Sequence, residues 1–229
     1  MTDTGAISTV AIMQPYFIPY AGYFRLFAAT DLFVIYDCVQ FPRRGWVHRN
    51  RLPDGSGAPR WLTLPLAKAP RDVAIKDLEF ASDAQERLGH EIRRFPSLGV
   101  HRDKPSLLLN ALRKVNGKPV DYLVGLLEIT CKELGFPFRT VRSSTLGIDP
   151  SLKGQDRILA IARTVGATTY VNPPGGRGLY DTQAFASEGI SLRFLPEYRG
   201  PSWSILHRLL TEDTSQLRQD IRRQAVIES

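Results

Sequence analysis

The 229-residue chain reads as an α/β protein: a mostly parallel sheet built from βαβ units, with a β-hairpin extension and a helical middle segment. Three observations predict this. Near the start, apolar runs at residues 9–13 and 32–36 flank a loop and a short helical stretch, the pattern of a right-handed βαβ unit. In the last third, apolar strand-like runs again alternate with helical stripes. Between these regions, residues 82–135 carry apolar side chains at helical spacing. Residues 1–229 are expected to form one α/β domain, with 82–135 resembling an insertion.

The elements follow in order. Residues 45–52 and 60–66 flank Pro53-Asp54-Gly55-Ser56-Gly57-Ala58-Pro59, a hairpin signature. Residues 73–80 are expected to add a strand, with Val73, Ile75, Asp77 and Glu79 on one face. Ser82 and Gln85 are spaced as a capping box ahead of Leu88, Ile92 and Phe95. Leu108, Ala111, Leu112 and Val115 mark a second helix. Leu123, Leu126, Leu127, Cys131 and Leu134 mark a third, which Gly135 should terminate. Next come a strand at 138–141, a helix carrying Ile158, Ile161, Ala162 and Val165, and a strand at 168–171. A glycine-rich loop at 172–178 leads to a short helix at 179–188 and a strand at 190–195. Trp203, Leu206, Leu210, Leu217 and Ile221 suggest one closing helix.

Composition narrows the function classes. A hydrophobic content of 43% and a charged content of 23% suit a soluble globular chain. No apolar run approaches the roughly 18 residues of a bilayer span. The first ten residues lack the pattern of a signal peptide, so a cytoplasmic protein without membrane contact is expected. Two distant cysteines give neither a disulfide framework nor metal-ligand spacing, and no metal is expected. His90 and His101 read as surface residues. The net charge of +7 favours anionic partners: nucleotides, phosphorylated sugars, nucleic acid or an acidic carrier protein. Arg43, Arg44, Arg49 and Arg51 cluster just after the second strand, whereas Arg218, Arg222 and Arg223 read as a solvated helix face.

Ligands of open parallel sheets sit beyond the carboxyl ends of the strands. Gln14 closes the first strand, Asp37 the second and Asn172 a later one, so the three are expected to share one hollow. Gln14 and Asn172 suit hydroxyl or amide recognition, although strand-end capping accounts for them equally well. Tyr16, Tyr20 and Tyr23 would wall the hollow, and Gln40, Arg49, Asn50, Arg51 and Tyr180 complete the expected substrate-binding set. Asp37 is the expected general base. Cys38 and His48 are a candidate thiol–imidazole pair, with a small buried thiol as the plainer reading. Gly175 and Gly176 permit close approach of an anion, or simply a tight turn; their spacing fits neither the dinucleotide fingerprint nor the P-loop.

The stretches IMQPYFIPYAGYF, DLFVIYDCVQF and GWVHRNRL resemble the N-terminal signature of the WbqC-like family. KGQDRILAIARTVGATTYVNPPGGRGLYD and FASEGISLRF are similar to its second block, so the likeness runs from about residue 10 to about residue 194. Members of this family are typically encoded in bacterial O-antigen and other surface-polysaccharide gene clusters. The resemblance implies a glycyl or aminoacyl transfer in biosynthesis. Two departures are visible. Cys38 stands where members usually carry a second acidic residue. Where the family pattern runs from a serine-isoleucine pair to an aspartate, this chain reads Ser204-Ile205-Leu206-His207. The combined expectation is an amide-forming transferase acting on the amine of a nucleotide-linked amino sugar or a related small molecule. Its donor would be anionic: a nucleotide, a thioester carrier or an aminoacyl-tRNA. No resident cofactor is expected, beyond ATP or the activated donor itself. The alternatives are ATP-dependent nucleotidyl transfer or ligation, and a non-catalytic module binding RNA or a carrier protein.

Overall fold

The computed structural model describes residues 7–100 and 106–228; His101 and the first six residues lie outside them. Five strands form one sheet: β1 (Thr9–Met13), β2 (Leu32–Ile35), β5 (Thr140–Arg142), β6 (Thr169–Asn172) and β7 (Ser191–Phe194). Their order is β5-β2-β1-β6-β7 and every pairing is parallel. Val10 lies opposite Leu32 and Met13 opposite Ile35, while Val10 also pairs with Tyr170 on the other side. A short 3-10 turn (Ala21–Phe24) and α1 (Arg25–Ala29) connect β1 to β2.

Alternation of side chains covers both faces of this sheet, which is why its strands read as continuous apolar runs. Val10, Ile12, Leu32, Val34, Tyr170 and Leu192 pack against Ile158, Ile161 and Ala162 of α6 (Gly154–Thr164) and Phe185 of α7 (Thr182–Ser187). Ala11, Phe33, Ile35 and Val171 face a larger cluster that continues through the hairpin and the middle helices. Phe33 stacks on Phe27 with ring centres 4.2 Å apart, and cutting either ring back to alanine would cost about 3–5 kcal/mol.

The hairpin is a separate antiparallel pair, β3 (Arg49–Pro53) and β4 (Pro59–Thr63). The Asp54 carboxylate closes its turn by accepting from the N–H groups of Ser56 and Ala58. The middle segment holds α2 (Ala84–Arg93), α3 (Ser97–Val100), α4 (Leu107–Leu112) and α5 (Pro119–Leu134). Proline opens α5 and Gly135 ends it at φ +64°, the left-handed cap for which glycine is suited.

Four expectations are corrected. Residues 73–80 form no strand. Ile75 and Leu78, three residues apart, are the buried pair, so a 3-10 turn (Ile75–Asp77) satisfies them where a period of two cannot. The Ser82–Gln85 capping box does not form, because Gln85 bonds the Arg113 carbonyl and the Val115 N–H of the next helical connection. The single closing helix is two, α8 (Ile205–Thr211) and α9 (Thr214–Arg223). Asp213 interrupts them, its carboxylate capping the new N-terminus at Ser215 and Gln216. The expected loop at 172–178 holds a 3-10 turn (Pro174–Leu179), while the expected helix at 179–188 forms as α7. Among the described residues, no helix is long and apolar enough to cross a membrane.

Candidate functional site

Chain connections leave β1 towards β2 on one side, while β6 lies on the other, so the winding reverses between β1 and β6. Such a reversal leaves a gap at the carboxyl edge, because the flanking loops diverge. Here it is a cleft of about 370 Å³ lined by Gln14, Tyr16, Tyr36, Asn172, Gly175 and Tyr180, with Ile12 and Ile158 among its apolar walls. Asn172 ends β6 and is 6% exposed. Neither its side-chain amide nor that of Gln14 makes a hydrogen bond within the protein among the described residues. Gly176 explains how the Asn172 amide fits: a Cβ at 176 would lie 2.0 Å from Nδ2. The glycine therefore makes room for an amide. Burial raises the Tyr36 hydroxyl to about 12, so it stays protonated and can donate. Among the described residues, no carboxylate lines this cleft.

Asp37 does not open into that hollow. It is fully buried, and its Oδ1 accepts from Ser143 Oγ at 3.0 Å and Ser144 N–H at 2.9 Å, while Oδ2 accepts from Ser144 Oγ at 2.8 Å. These serines follow β5, so Asp37 ties two neighbouring strand ends together. On their outer side lies a second cleft of about 280 Å³, lined by Cys38, Lys76, Ser143, Ser144 and Arg157. Arg157 donates to the Cys38 carbonyl at 3.3 Å and approaches its Sγ at 4.0 Å, while its other terminal nitrogen reaches the Pro150 carbonyl. Its Nε is buried without a partner, and its charge acts on the Tyr36 hydroxyl of the first cleft. Arg157 thus lines the second cleft and reaches the first through Tyr36. Sequence reasoning missed it; the available signal was one basic residue immediately before the apolar stripe of α6.

The aromatic loop divides its work. Tyr23 is a core residue, 3% exposed, and donates to the Gln14 carbonyl at 2.8 Å. It fixes the loop and is not a ligand contact. Ile18 adopts φ +38°, a conformation costing a β-branched residue about 1–2 kcal/mol. A buried clamp holds it there. Asn50 Nδ2 donates to the carbonyls of Phe17 and Ile18, and Ser204 Oγ donates to Ile18 at 2.7 Å. Asn50 is therefore committed to backbone and is not free for substrate. Tyr16 and Tyr20 are half-buried, and Tyr16 also borders a pocket of about 140 Å³ with Tyr20, Trp46 and Arg51.

The remaining expected residues lie elsewhere. Gln40 is exposed and donates to the Arg71 carbonyl, outside these clefts. His48 lines a third cleft of about 720 Å³ with Phe41, Arg43 and Arg87. Burial, aided by Arg49, lowers its pKa to about 4, and its Nδ1 is buried without a partner. Cys38 and His48 line different clefts, and no hydrogen bond joins them among the described residues, so the expected thiol–imidazole pair is not seen. Arg49 and Arg51 stand on the outer face of the hairpin, stacked on tryptophans. Among the described residues, no group of three or more His, Cys, Asp or Glu side chains could hold a metal ion.

A parallel sheet covered on both faces, with a polar cleft at its winding reversal, defines a doubly wound α/β protein with a cleft at its switch point. The WbqC-like protein family matches residues 14–211, and the chain belongs to that family. It is also 26% identical over 182 residues to the uncharacterized protein Rv1507c of Mycobacterium tuberculosis, covering 77% of each chain. No solved structure matches it.

Proposed function

We propose that the switch-point cleft binds an amine-bearing small molecule and that the chain transfers an acyl or aminoacyl group onto it, forming an amide. One observation carries this reading. Two side-chain amides leave the ends of β1 and β6, enter one cleft, and have no hydrogen-bond partner among the described residues. Gln14 is half-buried and Asn172 nearly buried, so their amides are held in the cleft wall where a ligand hydroxyl or amide can meet them. Tyr16 offers a ring face to a sugar.

Asp37, the expected base, is buried among serines and outside this cleft, so we assign deprotonation to the cleft itself. With no anion in its lining, partial desolvation disfavours an ammonium and favours the neutral amine, which is the nucleophile. The amine nitrogen then bonds to the donor carbonyl carbon as the bond to the leaving group breaks. The departing group takes up the amine proton, and the Tyr36 hydroxyl is placed to donate a hydrogen bond during that exchange. Arg157 and Lys76, in the adjoining cleft, suit an anionic donor.

ATP-dependent ligation is the second reading, favoured by a strand order in which nucleotides commonly bind at the reversal. Purified protein incubated with acyl thioesters or aminoacyl donors and amino-sugar nucleotides should yield amide products visible by mass spectrometry. Asn172→Ala should lower that yield by about tenfold or more. Pyrophosphate release with ATP would select ligation instead. Equal yields from the native chain and Asn172→Ala would remove the cleft from the reaction.

A further inference from the structure

The hairpin carries a feature that the cleft does not explain. Along β3 and β4, Asn50, Leu52 and Leu62 point inward and are buried, while Arg49, Arg51 and Trp61 point outward. The register sets Arg51 directly opposite Trp61. The Arg49 guanidinium lies 4.3 Å from the Trp61 ring centre, and that of Arg51 lies 5.3 Å from Trp46 and 5.6 Å from Trp61. The two indoles are 5.4 Å apart, and Trp61 remains 39% exposed. Two of the three tryptophans in the chain are therefore spent on one small surface.

Charge supplies the second observation. Arg43, Arg44, Arg49 and Arg51 form no ion pair among the described residues, whereas Arg87, Arg142, Arg163, Arg177 and Arg208 each face a carboxylate. The Arg49 guanidinium donates from one terminal nitrogen to the Arg44 carbonyl at 2.7 Å while its Nε lacks a partner among the described residues, and the Arg51 side chain makes no hydrogen bond among them. A stabilising ladder alone would be served by guanidinium over indole, but it would leave this positive field uncompensated. A ligand with both a flat ring and a negative charge satisfies both features.

We propose that the outer face of the hairpin is a nucleotide-binding subsite, in which the base stacks on the Trp46–Trp61 surface and the phosphate pairs with Arg49 and Arg51. Tyr16 borders both the small pocket beside Trp46 and Arg51 and the switch-point cleft. A nucleotide held on the hairpin would direct its attached group past Tyr16 towards Gln14 and Asn172. The subsite thereby deepens the transfer reading and rests on it for what occupies the cleft, while nucleotide capture is decided by binding alone. The nucleotide has two possible sources, a free or sugar-linked nucleotide and the end of an RNA strand.

Tryptophan fluorescence of the full chain, titrated with UMP, AMP, their nucleosides, inorganic phosphate and a short single-stranded oligouridylate, tests this. A mononucleotide should quench saturably, with nucleoside and phosphate each binding about tenfold more weakly or worse. Trp61→Ala and Arg51→Gln, both outward-facing, should each weaken binding by about tenfold, with unchanged circular dichroism and unfolding transition. Oligouridylate binding no tighter than UMP identifies the free nucleotide as the source. Much tighter binding, with a log–log salt slope steeper by about 0.7 per added phosphate contact, identifies RNA. Absence of saturable quenching by every nucleotide-containing probe, or equal affinity in both variants, overturns the subsite. Nucleotide binding without amide formation would sink the transfer reading alone, and amide formation without nucleotide binding would sink the subsite alone.

Discussion

The ends of β2 and β6 place polar residues at corresponding levels of one parallel sheet, yet their surroundings treat them in opposite ways. Asp37, just past β2, is sealed in and fully occupied by Ser143 and Ser144. Asn172, at the end of β6, is nearly as buried but has an idle amide facing a cleft. The difference comes from the neighbour. Beside Asp37 runs β5, whose following turn delivers two hydroxyls and a backbone N–H. Beside Asn172, on the β1 side, the winding reverses and no such turn arrives. Position at a strand end therefore nominates a residue, and the adjacent strand decides whether it is tied into the fold or left facing a cleft.

The largest test of this contrast is Asp37→Ala. It strips the acceptor from three buried or partly buried donors, and urea unfolding should show a loss of about 3–4 kcal/mol. Asp37→Asn should fold with a loss of about 1–2 kcal/mol, since its amide can still accept from Ser144 N–H and donate to Ser144 Oγ. A catalytic base would show the reverse pattern, with stability intact and turnover abolished in both variants.

A middle-sized effect comes from His48. Its folded pKa lies near 4, below the ordinary 6.5, so the unfolded chain binds more protons between these values. Stability should fall as pH drops from about 6.5 to about 4, and His48→Gln should flatten that slope in unfolding measured across the window. An unchanged slope would mean that His48 is as accessible in the folded protein as in the unfolded one. Asn172→Ala should have the smallest effect on folding, a loss within about 1 kcal/mol, because its side chain makes no hydrogen bond among the described residues. A loss as large as that of Asp37→Ala would erase the contrast.

Much of the scaffold was legible from pattern. β1 coincides with its apolar run at residues 9–13, the hairpin flanks its Pro/Asp/Gly turn, and α5 stops at Gly135, because each signal is local. The errors share a different cause. Asp37 looked free because its partners lie 106 residues away, and Tyr23 looked like a cleft wall because its ring cluster includes Phe33 of the next strand. Arg157 was invisible as a site residue, since only the docking of α6 brings it to Cys38 and Tyr36. At residues 73–80, alternating polarity imitated a strand, while the spacing of Ile75 and Leu78 belonged to a turn.

Gly176 has a practical consequence for anyone redesigning this protein. The missing atom at that position is what allows its neighbour's carboxamide to rest where it does, so even alanine there must evict or rotate that group. Position 176, itself part of the cleft lining, is thus a handle on where the Asn172 amide sits. Engineers wishing to retune specificity should vary residues 172 and 176 as a couple, and should expect single replacements at 176 to behave like damage to Asn172.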